Sequence, residues 1–199
     1  MTQPVVSARA EAASALLFHT LGAHRVTVAA MRTRRASRLA TAAPLDAEQI
    51  QCQATLVRLL SITESFTAEL MTTAVDSAVS RAGSAAVNKI WEDAAIRGTD
   101  SWNAQRDAYR NWLGVTVDWS AAERLAEARN AVAHGLGSLT RRQLRNEQGV
   151  KARLQAAGID VQGDSLVLSD AALASAAAAC RDLIHRVDRA TQSRPTEFR

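Results

Sequence analysis

Cysteine, lysine and long apolar runs are all scarce in this 199-residue chain. Its two cysteines, Cys52 and Cys180, lie far apart without metal-ligand spacing. Each therefore reads as a small buried hydrophobe rather than half of a disulfide. No apolar stretch reaches bilayer length, so no membrane partner is expected. The opening residues, MTQPVVSARAEAAS, lack a basic start followed by an apolar run. That predicts no signal peptide and a cytoplasmic location. HxxxH and CxxC clusters are missing, which leaves no expected metal site, and nothing calls for a cofactor. No glycine-rich loop follows a strand to cradle phosphates. No local signal assembles a Ser/His/Asp or Cys/His triad. Internal repeats and linkers are absent too, so the chain reads as one domain.

What remains is an arginine-rich, alanine-rich helical sequence. Hydrophobic residues make up 47% and mean hydropathy is −0.11, outside the range of a disordered chain. A domain of this size buries roughly 70% of its unfolded surface, enough for a core without staples. Net charge is +4, and the only lysines are Lys89 and Lys151; arginine supplies the rest of the 24 basic residues. Arginine's planar fork suits phosphate, although biased codon usage gives the same tilt. The arginines concentrate in 24–38 and 140–153. Arg34, Arg35, Arg141, Arg142 and Arg145 are the candidates for RNA contact, with solvated helix faces as the plain alternative.

The chain reads as helices almost throughout. A first helix covers 7–40, and Pro44 then breaks the pattern, with Asp46 as a cap. A second runs over about 47–81, with Leu56, Leu59, Leu60, Ile62, Phe66 and Leu70 on its apolar face. RAGSAA (81–86) signals a turn and an N-cap before a shorter helix. Another starts at Asp100 or Ser101 and ends near Gly114. Residues 118–134 form the next helix, stopped by Gly135, and 139–156 are expected to be helical as well. GIDVQGDSLVLS (158–169) is the one β-like signal, a small hairpin about Gln162-Gly163-Asp164-Ser165. Ser169 or Asp170 caps a last helix carrying Leu173, Ala177, Cys180, Ile184 and Val187. Trp91, Trp102, Trp112 and Trp119 crowd the middle third and read as a core cluster more readily than as base-stacking platforms. His19, His24 and His185 read as structural or surface residues.

EARNAVAHGLG (127–137) carries the chemistry. On a helical wheel Glu123, Glu127, Asn130 and His134 form a stripe about 60° wide. Trp119, Ala122, Leu125, Ala126, Val132 and Ala133 share a neighbouring face, and Arg129 falls at its centre. An arginine there must be paired or must look into an opening, because a lone desolvated charge is costly. Glu64 and Asp76 are the carboxylates that would pair with it in a purely structural role. His134 stands in the last turn, where the negative end of the helix dipole favours a cation, and a simple capping role is the alternative.

RNAVAH fits the R-N-x-x-x-H signature, and here the chain resembles the HEPN superfamily (higher eukaryotes and prokaryotes nucleotide-binding domains). LVRLLSITESFTAEL (56–70), WEDAAIRGTDSWNAQRDAYRNWLGV (91–115) and RLAEARNAVAHGLG (124–137) follow one another as in its RiboL-PSP-HEPN-like branch. The hairpin before the last helix is similar to the close of related branches. The resemblance implies an all-α, HEPN-type helical bundle with long N-terminal helices. Residues 1–45 are then an N-terminal helical extension, 46–192 the core and 193–199 a frayed tail. It further implies a metal-independent endoribonuclease. Arg129 would steady charge on the phosphorane, and His134 would serve as general base toward a ribose 2′-OH, general acid toward the 5′-oxygen, or both. Asn130 would orient the imidazole or hold a phosphate oxygen, and Glu127 and Glu64 are carboxylates that would support the motif. One motif supplies one histidine, so the resemblance also implies a homodimer whose two motifs share a cleft. A toxin–antitoxin or antiphage role, restrained by an antitoxin or regulatory protein, follows from the resemblance alone. The alternative is a non-catalytic HEPN module that dimerises and binds RNA, nucleotide or a protein. A helix-turn-helix regulator built on 138–159 lacks a convincing turn.

Overall fold

The computed structural model describes residues 5–36, 47–82 and 84–193, with the side chains of Arg35, Ala36 and Ala82 outside that description. The described residues form eight helices and one hairpin. In chain order they are α1 (Ala8–Ala36), α2 (Ala47–Ala82), α3 (Ala85–Thr99), α4 (Trp102–Leu113) and α5 (Ser120–Gly135). Then follow α6 (Arg141–Leu144), α7 (Glu147–Ala156), β1 (Asp160–Gln162), β2 (Ser165–Val167) and α8 (Asp170–Gln192). The all-α expectation with a small hairpin holds. The expected break at Pro44, the Asp46 cap and most of the tail lie outside the described residues.

Local chemistry explains most boundaries. Ser84 accepts from the Val87 N–H at 3.5 Å and Ser101 from the Ala104 N–H at 3.2 Å, each supplying a donor that the first turn lacks. Gly114 closes α4 with a left-handed φ of 63°. Gly163 takes φ 59° at the first position of the two-residue turn that pairs Val161 with Leu166. The Ser169 hydroxyl accepts from the Ala172 N–H at 3.1 Å and opens α8.

Two expectations are corrected. Residues 139–156 are not one helix: α6 is a single turn, and the chain breaks at Asn146, with φ −134° and ψ 52°, before α7 begins. Gly135 does not stop α5 but is its last helical residue. Leu136 makes the left-handed step instead, with φ 53°.

The chain divides into two compact units. The first contains the start of α1 up to Ser14, Ile62–Trp119, and α8 from Arg181. Its core is centred on Tyr109, fully buried, whose hydroxyl donates to the Thr67 carbonyl at 2.8 Å. Burial pushes that phenol far above its ordinary range. Trp119 packs tilted against Tyr109, with ring centroids 5.4 Å apart and 52° between the planes, and lies 6.0 Å from Trp102. Trp102 and Trp119 are core residues, while Trp91 and Trp112 are half-buried and meet edge to face at 5.3 Å. Asp188, buried, accepts from the Ser7 N–H at 2.8 Å and the Ser7 hydroxyl at 2.7 Å, fixing the start of α1.

The second unit contains Ala15–Ser61 and Ser120–Cys180, and it holds the motif helix. Leu17 and Leu21 of α1, Leu56, Leu59 and Leu60 of α2, Leu154 of α7 and Leu173 of α8 are buried in it. Cys52 and Cys180 are buried free thiols, as expected. The Gln49 side chain bonds both backbone groups of Leu168, at 2.8 and 2.9 Å, and ties α2 to the strand exit.

Candidate functional site

Arg129, Asn130 and His134 all belong to the last two turns of α5. Asn130 and His134 are exposed, four residues apart and so one above the other on the helix surface. Arg129 is half-buried. Its expected place at the centre of a buried face is corrected: the buried stripe is Ala122, Leu125, Ala128 and Ala131, while Val132 is half-buried and Ala133 exposed. Alanine is apolar enough to pass for core and small enough to tolerate solvent. An alanine-rich wheel therefore has too little contrast to locate its inner face.

The helix end is clamped. Gly137, with φ 91°, donates back to the Ala131 carbonyl at 3.1 Å, and the Ser138 N–H reaches Gly135 at 2.9 Å. The chain then runs onto the hairpin. The Leu139 N–H donates to Asp164 at 2.7 Å, and the Leu166 N–H donates to Gly137 at 2.8 Å. The positive φ at Gly137 favours glycine, while a Cβ there would meet only the end of the flexible Gln53 side chain on α2, which would have to move aside. Leu136 between them is 92% exposed and holds a conformation that L-residues avoid, next to the motif.

Glu127 has a definite structural task. Its carboxylate accepts from Arg153 Nη2 at 2.7 Å and Nε at 3.2 Å, and from Gln143 Nε2 at 3.0 Å. Gln143, buried, also donates to the Glu127 carbonyl at 2.8 Å. Its own amide oxygen closes a reciprocal cap with Thr140. Glu127 thus joins α5, α6 and α7, and it supports the motif helix as an anchor. Sequence reasoning passed over Gln143 and Arg153, although T-x-x-Q at 140–143 is a readable capping box. Glu64 is half-buried in the first unit, where its carbonyl accepts from Thr67 Oγ1 at 3.1 Å. Asp76, also in that unit, accepts the Trp91 indole N–H.

The two arginine clusters differ. In the first, Arg25 makes a two-point bridge to Asp170 at 2.9 Å, and Arg32 meets Glu48 at 2.8 Å. Arg25 holds the Asp170 carboxyl below its usual range. Arg34 is exposed, and the side chain of Arg35 lies outside the described residues. In the second, Arg141, Arg142 and Arg145 are all exposed and no carboxylate among the described residues pairs with them. The nearby acids are engaged elsewhere, Glu127 by Arg153 and Glu147 by Lys151 at 2.6 Å. With Gln143 locked inward, this turn of helix turns its cations to solvent.

The remaining histidines are not part of the motif. His24 is buried, its Nδ1 3.0 Å from Thr55 Oγ1 and its Nε2 3.9 Å from Cys52 Sγ. Burial lowers its pKa, with Arg25 and Arg32 adding to the effect and Asp170 opposing it. His185 bonds Ser14 at 2.9 Å and His19 is exposed. Among the described residues no group of three or more His, Cys, Asp or Glu side chains is placed to hold a metal ion. No described helix is long and apolar enough to cross a membrane. Compared with known protein families, curated proteins and solved structures, the chain matches none.

Proposed function

We propose that this chain is a metal-independent endoribonuclease of the HEPN type, acting on RNA as a homodimer. The observation that carries the reading is the exposure of Asn130 and His134 one turn apart, beside Arg129, on a helix end clamped by the hairpin. The R-N-x-x-x-H spacing and the all-helical fold support it. In the reaction the ribose 2′-oxygen attacks the adjacent phosphorus and the bond to the 5′-oxygen breaks. The 2′-OH proton passes to one His134 imidazole, and a second imidazolium, from the partner copy, protonates the departing 5′-oxygen. A cyclic phosphate and a 5′-OH result. Arg129 steadies the charge that gathers on the equatorial oxygens, and Asn130 holds the imidazole or a phosphate oxygen. Arg141, Arg142 and Arg145 grip the flanking phosphates, since their charges are not already answered. A cytoplasmic toxin or antiphage role, restrained by an antitoxin or regulatory protein, belongs to the same reading and rests on the HEPN resemblance.

The test is cleavage of an unstructured RNA and of the matching DNA, both in EDTA. The wild type should cut RNA alone, because the nucleophile is the 2′-OH. His134→Ala and Arg129→Ala should each lose on the order of a hundredfold or more. Replacing Arg141, Arg142 and Arg145 by glutamine should weaken RNA binding and flatten its salt dependence by ~0.7 per lost phosphate contact. In a dimer structure the two His134 rings should lie roughly 6–10 Å apart, within reach of one phosphate. Undiminished cleavage in both single variants would refute the assignment, and RNA binding without cleavage by the wild type would favour the non-catalytic module.

A further inference from the structure

The second unit also holds a groove of about 220 Å³, lined by residues of α5, the end of α7 and α8. Its floor is alanine, including Ala121, Ala157, Ala176 and Ala179, and its polar groups are Arg124 and Ser175. Side chains that end at Cβ let three backbone segments approach and leave the space between them unfilled. Arg124 is half-buried, and its Nε is shut off from solvent without an acceptor. Among the described residues it joins no ion pair, whereas Arg25, Arg32 and Arg153 each meet a carboxylate. An arginine charge that no described carboxylate of its own chain answers favours an incoming carboxylate.

Size narrows the occupant. Small-molecule and cofactor sites usually enclose roughly 300–1,000 Å³. This groove holds the equivalent of roughly seven waters, room for an aliphatic side chain but not for a nucleotide. We propose that it docks an acidic, apolar segment of a partner protein. One aliphatic side chain fills the alanine floor, and an adjacent aspartate or glutamate pairs with Arg124. The chain's net charge of +4 favours an acidic partner. Arg124 precedes His134 by ten residues, about 15 Å along the axis and about 80° around it. A short segment in the groove therefore leaves Asn130 and His134 uncovered, and the proposal does not depend on the ribonuclease reading.

The probe is a capped hexapeptide of alternating glutamate and leucine, titrated into the isotope-labelled full chain and followed by amide chemical shifts. Saturable shifts at Ala121, Ala157 and Ala179 are expected, with Kd on the order of 1 mM or tighter. Arg124→Gln should weaken binding about tenfold, the share of one charge-assisted pair. Ala179→Leu, made from a half-buried position, should fill the groove and remove saturation while the helical circular dichroism is kept. Peptides with glutamine for glutamate, or alanine for leucine, should lose binding and test the same two contacts without altering the protein. Equal binding of the glutamine peptide, shifts unaffected by Arg124→Gln, or no saturable shift at these amides would overturn the proposal. So would a single-stranded RNA that moves the same amides.

Discussion

Gly98→Ala sets two opposing effects against each other in one helix. Alanine is the better helix former by about 1 kcal/mol, so an exposed interior glycine would normally gain from the change. Gly98, however, is the only buried residue of α3, and the Trp112 indole lies directly over it. An added Cβ would stand 2.6 Å from Trp112 Cζ3, well inside contact distance. The ring must then swing or α3 must lift. Overpacking of this kind costs roughly 1–3 kcal/mol. Displacing Trp112 from its edge contact with Trp91 adds about 0.5–1.5 kcal/mol. The net expectation is a loss of about 2 kcal/mol, which for a chain of this length is a Tm lowered by roughly 4–8 °C. Thermal and urea unfolding, followed by circular dichroism and tryptophan fluorescence, measures it. Trp112→Ala alone should be destabilising, but in that background Gly98→Ala should reverse sign and gain up to about 1 kcal/mol. A Gly98→Ala protein more stable than wild type, or a penalty unchanged without Trp112, would refute the packing argument.

Glu127→Ala removes the acceptor shared by Arg153 and Gln143. With the Glu127 side chain 23% exposed and that of Arg153 42% exposed, the loss should fall between an exposed and a buried pair, about 2 kcal/mol. It should be accompanied by faster amide exchange in α6, and a stability change under about 0.5 kcal/mol would show that the hub is not needed. Leu136→Gly exchanges an αL strain of about 1–2 kcal/mol for a backbone-entropy cost of about 0.5–1 kcal/mol. Because Leu136 is 92% exposed and gives up no burial, the variant should melt at or slightly above the wild-type temperature; a clear drop would mean that the side chain is held. His24 has a folded-state pKa below its ordinary 6.5, so the unfolded chain takes up the proton first. The stability its neutral ring contributes is complete above pH 6.5 and is lost as pH falls toward the lower folded value. His24→Gln should therefore flatten the fall of Tm between neutral and mildly acid pH, and parallel profiles would contradict the assignment.

Much of this protein is legible without its tertiary structure, because helix and turn chemistry is local. Ser84, Ser101, Gly114, Gly163 and Ser169 each act within a few residues of themselves, and each stands where a local rule places it. The co-helical placement of Asn130 and His134 follows in the same way from a spacing of four. Other features depend on residues distant in the chain. Arg25 is paired with Asp170, 145 residues away, while among the described residues no carboxylate pairs with Arg141, Arg142 or Arg145, Glu127 and Glu147 being engaged by Arg153 and Lys151. The inner face of α5 is not legible in the same way, because alanine at nearly every turn leaves hydrophobic contrast too weak to orient a helix. Only packing chose the stripe Ala122, Leu125, Ala128 and Ala131. The left-handed turn begins at Leu136, with φ 53°, and continues at Gly137, with φ 91°, one residue beyond Gly135, where backbone bonds from Gly137 and Leu139 draw the chain onto the hairpin. Short-range hydrogen bonding therefore decided where the elements begin and end, and long-range burial and charge pairing decided which side chains are left to act.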